Sequence, residues 1–272
     1  MFDMTVGCGN WAMRPTPPAD PASLEAMLRA EGITGACAYP LEAWFWPDPQ
    51  EANELRLPEL AGSDFFVPSA VLNPTLPAWR KGYRLCHDRW DIPMVRLLPG
   101  YHRYELADPD VDALAECLAA DGVALAVHLR AEDERMQNPI ALVPQVEFTE
   151  VAALAARHPD LRVLVFGFAR LGELGELVPE GTIGKLLTTR MPPEPRANLP
   201  ENLWIDLSFF EHESSLVAAL KLFRADRMVF GTHAPLFYPQ CNILKIRNSE
   251  AAADVKAAVI ETNARALLGV QP

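Results

Sequence analysis

Residues 161–168 read LRVLVFGF, an apolar run interrupted only by Arg162 and closed by a glycine and a phenylalanine. A strand with one face in water alternates apolar and polar residues. A strand covered on both faces, as in a parallel sheet packed with helices, stays apolar throughout. Moving outward, seven more strand-like runs recur along the chain: FDMTVG (2–7), TGACAYP (34–40), FFVPSAVLNP (65–74), PMVRLLPG (93–100), VALAVHLR (123–130), LWIDLSFF (203–210) and RMVFGTH (227–233).

Helical patterns fill the gaps. In PASLEAMLRAEG (21–32) Leu24, Met27 and Leu28 share one face and Gly32 ends the segment. Val111, Leu114 and Leu118 follow the turn residues ADPD (107–110), and Val151 and Leu154 mark another helix before HPD. SSLVAALKLF (214–223) precedes the last strand, and residues 251–269 read as two helical pieces. Eight strands alternating with helices predict a parallel α/β sheet, and 272 residues suit one closed (β/α)8 TIM barrel spanning 1–272. The alternative is an open doubly wound sheet. No GxGxxG opens the first βα unit, which weakens a dinucleotide-binding version of it. The proline-rich stretches RPTPPADP (14–21) and TTRMPPEPRANLPEN (188–202) read as loops.

Half of the residues are hydrophobic and the net charge is -12. Such an acidic surface argues against nucleic acid and anionic membranes, since phosphate binding needs clustered Lys and Arg. It leaves room for a small anion held by two arginines. The five cysteines are widely spaced without a CxxC, a pattern of free thiols in a reducing compartment. No basic-then-apolar leader and no span of about 18 apolar residues is present, so the expectation is a soluble cytoplasmic protein. A homo-oligomer is left open by the sequence.

In a barrel, chemistry gathers at the C-terminal strand ends. His128 and Arg130 share parity on the fifth strand, Arg96 is the lone charge of the fourth, Asp206 and Ser208 share a face of the seventh, and His233 ends the eighth. Each also has a structural reading: a hydrogen-bonded core histidine, an Arg96 paired with Asp206 or Asp3, an Asp206 bracing a loop. A closed barrel would bring them to one mouth, as a polar network or a binding site. Cys86-His87, Glu211-His212-Glu213, His102 and His158 read as surface or loop residues. Cys8 has nothing near it in sequence to lower its pKa. Trp44-Phe45-Trp46 reads as a lid packed over the barrel, with an interface patch as the alternative.

HPDLRVLVFGFARLG (158–172), NLWIDLSFF (202–210), DRMVFGTHAPLF (226–237) and ETNARALLG (261–269), in that order, resemble segments of the amidohydrolase superfamily, in its amidohydrolase-related branch. That branch includes decarboxylases and hydratases of aromatic-ring breakdown and lactonases of small carboxylated rings. The resemblance implies a TIM barrel and a metal centre, but the ligand positions depart from the pattern. The paired strand-one histidines correspond to Thr5 and Gly7, the strand-six histidine to Gly167, and the strand-eight aspartate to His233; only the strand-five histidine persists, as His128. Catalytic zinc usually takes three protein ligands. The expectation is therefore no cofactor, with zinc as the less favoured choice, and a hydrolase or lactonase acting without metal on a small carboxylated substrate. In it His233 is the general base, His128 assists, and Arg96, Arg130, Asp206 and Ser208 contact substrate. The alternatives are a non-catalytic barrel that binds a metabolite or protein, and a metalloenzyme with a rearranged site drawing on Cys8, Glu211 or His212.

Overall fold

The computed structural model describes residues 1–133, 135–138, 140–141, 143–177, 198–210 and 214–269. Residues 188–197 of the second proline-rich stretch and the Glu211-His212-Glu213 triplet lie outside them. The order is β1 (Phe2–Cys8), α1 (Pro21–Ala30), β2 (Gly35–Pro40), α2 (Pro49–Ala61), β3 (Phe66–Pro68), β4 (Ala70–Val71), α3 (Trp79–Trp90), β5 (Met94–Leu97), α4 (Pro99–His102), α5 (Pro109–Asp121), β6 (Ala124–His128), α6 (Phe148–Arg157), β7 (Val163–Phe166), β8 (Leu203–Asp206), α7 (Ser215–Ala219), β9 (Met228–Val229), α8 (Pro239–Asn248), α9 (Ala253–Ala257) and α10 (Asn263–Leu268). A π-helical turn, Ala258–Thr262, joins the last two helices.

The strands run parallel in two sheets, β1-β2-β3 and β4-β5-β6-β7-β8-β9. Two seams join them into a ring. At the first, the predicted third strand is split into β3 and β4 at Ser69, directly after Pro68. Proline cannot donate to a ladder. Ser69 still bonds the neighbouring strand, through its N–H to Ala38 O at 2.8 Å. Beyond it Asn53 of α2 substitutes for a strand, its amide oxygen accepting Val71 N–H at 2.9 Å and its NH2 donating to Val71 O at 2.8 Å. At the second seam Met4 N–H donates to Phe230 O, His233 N–H to Thr5 O and Gly7 N–H to Ala234 O, at 2.9, 3.0 and 2.8 Å. The barrel is thus the α/β fold expected, with a third strand in two pieces.

Helix entry follows local chemistry. Asp20, Asp48 and Asp108 cap α1, α2 and α5 through N–H groups of the first turn, each followed by a proline whose missing N–H costs nothing there. Leu24 and Leu28 of α1, and Val111, Leu114 and Leu118 of α5, are buried against the sheet as their spacing predicted. Among the described residues no helix is long and apolar enough to cross a membrane.

Two acids lie buried inside the ring. Asp3 accepts Thr232 N–H at 2.9 Å, Thr232 Oγ1–H at 2.5 Å and Thr5 N–H at 3.0 Å, so it ties β1 to the last strand. Burial pushes its pKa up to about 7, and pushes Asp206 up to about 6. A carboxyl that stays protonated longer when folded stabilises the fold at low pH, and that contribution is lost as pH rises through the folded pKa.

Asp3→Asn keeps the shape and cannot ionise. It is expected to raise stability relative to the wild type at pH 8 but not at pH 4, by on the order of 1–3 kcal/mol; urea midpoints at the two pH values check this. Asn53→Ala strands two buried backbone groups and is expected to cost about 2–4 kcal/mol in the same assay.

Candidate active site

Arg96, His128, Asp206 and His233 come from β5, β6, β8 and the turn after β9, and all are buried. Arg96 is wholly enclosed, yet no carboxylate among the described residues bonds it. Its Nε–H donates to Ser69 Oγ at 2.9 Å, one Nη2–H to Met4 O at 2.7 Å, another to Cys37 Sγ at 3.4 Å, and Nη1–H to His128 Nε2 at 3.3 Å. The guanidinium also lies over the Tyr39 ring, 4.6 Å from its centroid. Neither Asp3 nor Asp206 pairs with it directly, contrary to the structural reading of this residue.

These contacts set the histidine tautomers, because a ring nitrogen facing a donor must be the acceptor. His128 Nε2 faces a guanidinium, so its proton sits on Nδ1. His233 Nε2 lies 2.5 Å from Ala131 O, so there Nε2 carries the proton and Nδ1 holds a lone pair. Both Nδ1 atoms are buried without a hydrogen-bond partner. The two rings therefore present an unpaired donor and an unpaired acceptor, features that burial normally eliminates; among the described residues Tyr39 Oη and Trp44 Nε1, whose rings pack on His128, are also buried without a partner. The two rings share a neighbour: Phe166 lies 4.2 Å from His128 and 4.8 Å from His233 between centroids. Burial pushes the His233 pKa down to about 3, helped by the nearby positive charges of Arg96 and Arg14, and holds His128 well below the usual histidine range. His233 also has φ 58°, a left-handed conformation uncommon outside glycine and frequent at functional sites.

Asp206 and Ser208 face each other. Asp206 Oδ1 accepts both the N–H and the hydroxyl of Ser208, and Oδ2 accepts Thr5 Oγ1–H at 3.4 Å. Gly231 leaves the space for this carboxylate: a Cβ there would stand 2.1 Å from Asp206 Oδ2. Lys245 of α8 is buried close by and donates to Leu207 O, Phe210 O and Asn242 Oδ1. Asp206, Ser208 and Thr5 thus bond to one another, while Lys245 is held by backbone carbonyls and Asn242.

Aromatic rings close the mouth. Trp44 is buried, edge-on to His128 at 5.1 Å and to Tyr101 at 4.7 Å between centroids. Phe209 and Phe237 cover His233 at 5.2 and 4.9 Å. The lid reading of the Trp44 segment holds. Above it lie a cavity of about 360 Å3 lined by Trp44, Phe45, Trp46, Tyr101 and His102, and one of about 240 Å3 lined by Tyr101, Arg130, Glu132 and Gln137. Arg130, two residues beyond His128, lines the second cavity and pairs with Glu173 at 3.2 Å. The shared parity of these two residues thus leads to different places: His128 beneath the lid, Arg130 above it.

The residues do not fit the metal centre that the family resemblance implies. His128 Nε2 is turned to a cationic guanidinium, which would repel a second cation. His233 Nε2 is bound to a carbonyl. A Cβ on Gly7 would lie 2.3 Å from Leu41 Cδ2, so that position is filled by leucine. Among the described residues no three His, Cys, Asp or Glu side chains converge on one point. Cys8 is buried and its thiol is pushed up to about 12, far from a nucleophile.

Several members of the site were not singled out as site residues from the sequence. Arg14 reaches across the mouth to Glu132 at 2.7 Å and Leu236 O at 2.7 Å. Its place in the loop after the first strand was the available signal. Asp3 shares parity with Thr5, which pointed it into the barrel. Lys245 gave no signal, because only the packing of α8 turns it inward.

The chain matches the amidohydrolase family model over residues 3–270. No curated protein sequence matches it. Among solved structures it resembles 5-carboxyvanillate decarboxylase from Sphingomonas paucimobilis, at 16% identity and TM-score 0.70 with 99% of each chain covered. It likewise resembles 2,6-dihydroxybenzoate decarboxylase complexed with 2,6-dihydroxybenzoate, at 16% identity and TM-score 0.71 with 99% of each covered. A third is 4-oxalomesaconate hydratase from Rhodopseudomonas palustris, at 15% identity and TM-score 0.66, covering 91% of this chain and 81% of that one. With the parallel strand order and the match over nearly its whole length, the chain belongs to the amidohydrolase family.

Proposed function

We propose that this barrel binds a small carboxylated ring at its mouth and hydrolyses an ester or lactone bond in it without a metal. The observation that carries the reading is the complementary pair of unpartnered nitrogens, a donor on His128 and an acceptor on His233, buried where the barrel directs its chemistry. The relatives support the substrate class, since their names describe small carboxylated molecules.

In this reading Trp44 swings aside and the ring enters from the upper cavities. Water attacks the carbonyl carbon while its proton passes to His233 Nδ1. The developing oxyanion accepts a hydrogen bond from His128 Nδ1–H. The carbon–oxygen bond then breaks, and the proton returns from His233 to the leaving oxygen, so the net change is addition of one water. Arg130 contacts the substrate carboxylate. Arg96 is a positioning residue: it holds His128 in the donating tautomer. Asp206 and Ser208 act from the floor rather than on the substrate. A base as weak as buried His233 transfers protons poorly. A substrate carboxylate brought close to it counters this by favouring the imidazolium.

A second reading, a barrel that binds a carboxylated metabolite without turning it over, is favoured by the packed lid over His128 and His233. A screen of small esters and lactones separates the two. Hydrolysis that falls by about 100-fold or more in His233→Ala supports catalysis, whereas unchanged turnover in that variant removes the assigned base. Carboxylate binding with no turnover in the wild type supports the second reading.

The pH profile gives a finer test. Because His233 titrates near 3 in the free protein, its limb in kcat/KM is expected on the acid side of pH 5, not near 6.5. Arg96→Met is expected to free the His128 tautomer and lower kcat by on the order of tenfold or more with little change in KM; a change in KM alone contradicts the positioning role.

A further inference from the structure

Three loops meet over His233, and one ion pair ties them. Arg14, after β1, donates its Nε–H to Glu132 Oε1 at 2.7 Å and an Nη2–H to Leu236 O at 2.7 Å. Glu132 follows β6 and Leu236 follows β9. The carboxylate end of this pair is the enclosed one: the Glu132 side chain is 4% exposed and that of Arg14 30%. Glu132 sits one residue after Ala131, whose carbonyl holds His233 Nε2. It also lines the cavity that contains Arg130 and Tyr101, and Met13, next to Arg14, lines the adjoining one. A buried carboxylate at the wall of an anion-sized cavity is unfavourable by itself, because both its own burial and any incoming anion work against it. It is held there by Arg14.

We propose that Glu132 is a built-in stand-in for a ligand carboxylate, and that Arg14 is the residue that exchanges it for the carboxylate of a bound ligand. The Arg14–Glu132 pair is then a latch. Closed, it joins the loops after β1, β6 and β9 over His233. Opened by an incoming carboxylate, it releases Glu132 toward solvent and leaves the guanidinium fork on the ligand, next to the proton acceptor. This rests on the preceding proposal that the mouth receives a carboxylate. It adds that Arg14 joins Arg130 in holding that charge, and it says what opens the lid.

The test compares benzoate with its neutral isostere benzamide, read by calorimetry, in the wild type, Glu132→Gln, Arg14→Gln and the double variant. The expected result is benzoate affinity about tenfold higher in Glu132→Gln than in the wild type, with benzamide unaffected. Arg14→Gln and the double variant are expected to lose the preference for benzoate. Should Glu132→Gln misfold, Glu132→Ser removes the same charge with Arg14 kept and serves the comparison.

A ligand-free readout accompanies it. Amide exchange in residues 9–19, 129–133 and 233–238 is expected to quicken in Glu132→Gln. Equal benzoate affinity in the wild type and Glu132→Gln, absence of benzoate binding in both, retained preference in Arg14→Gln, or unchanged exchange in these segments each overturns the latch. Loss of hydrolysis in every form with the binding pattern intact would instead overturn the hydrolase reading alone.

Discussion

The guanidinium of Arg96 is the contact on which the site depends. It enters the barrel from β5 and takes partners from β1, β3 and its flank, β2 and β6 at once: Met4 O, Ser69 Oγ, Cys37 Sγ and His128 Nε2. A buried cation without a bonded carboxylate is costly. Here the cost is offset by four hydrogen bonds, the face of Tyr39, and the field of Asp206. Its consequence is chemical. By donating to His128 Nε2 it removes the lone pair that the family's strand-five histidine would give to a metal, and places the imidazole proton on the opposite nitrogen.

The acid half of the site follows a different rule. Asp3 and Asp206 are enclosed and pushed up toward neutral pH, while His233 is pushed down. As pH falls from about 6.5 toward 3, the buried histidine disfavours the folded state; as pH rises from about 4 toward 7, the buried acids do. The two linkages oppose each other. Stability is expected to be broadest at mildly acidic pH, where the barrel interior carries little charge besides Arg96 and Lys245.

Most of the architecture was legible in the sequence because it rests on local, periodic signals. Continuous apolar runs marked parallel strands, and Gly32 and the turn residues ADPD (107–110) marked helix ends. The parity of His128 and the terminal position of His233 placed both at the mouth. What was not legible depends on distant packing. The third strand was read as one run, and both its break after Pro68 and the repair by Asn53 depend on α2 lying alongside. Arg96 had three plausible destinations in sequence, and only the ring closure decides that it faces His128 rather than Asp3 or Asp206. Arg14 and Glu132 are 118 residues apart, and neither sits in a pattern that calls for the other. Arg130 shows the limit of parity: the strand ends at His128, and beyond it alternation no longer sets direction.

The central claim is that two neutral histidines of opposite tautomer stand where the family pattern places metal ligands. The most direct measurement is 15N NMR of ring-labelled His128 and His233, assigned by His→Gln variants, recorded from pH 8 to pH 4.5 with and without added zinc. The account predicts an Nδ1-protonated His128 and an Nε2-protonated His233, both neutral throughout and indifferent to zinc. Titration of either ring near pH 6.5, the same tautomer at both, or a stoichiometric zinc-induced shift would contradict it.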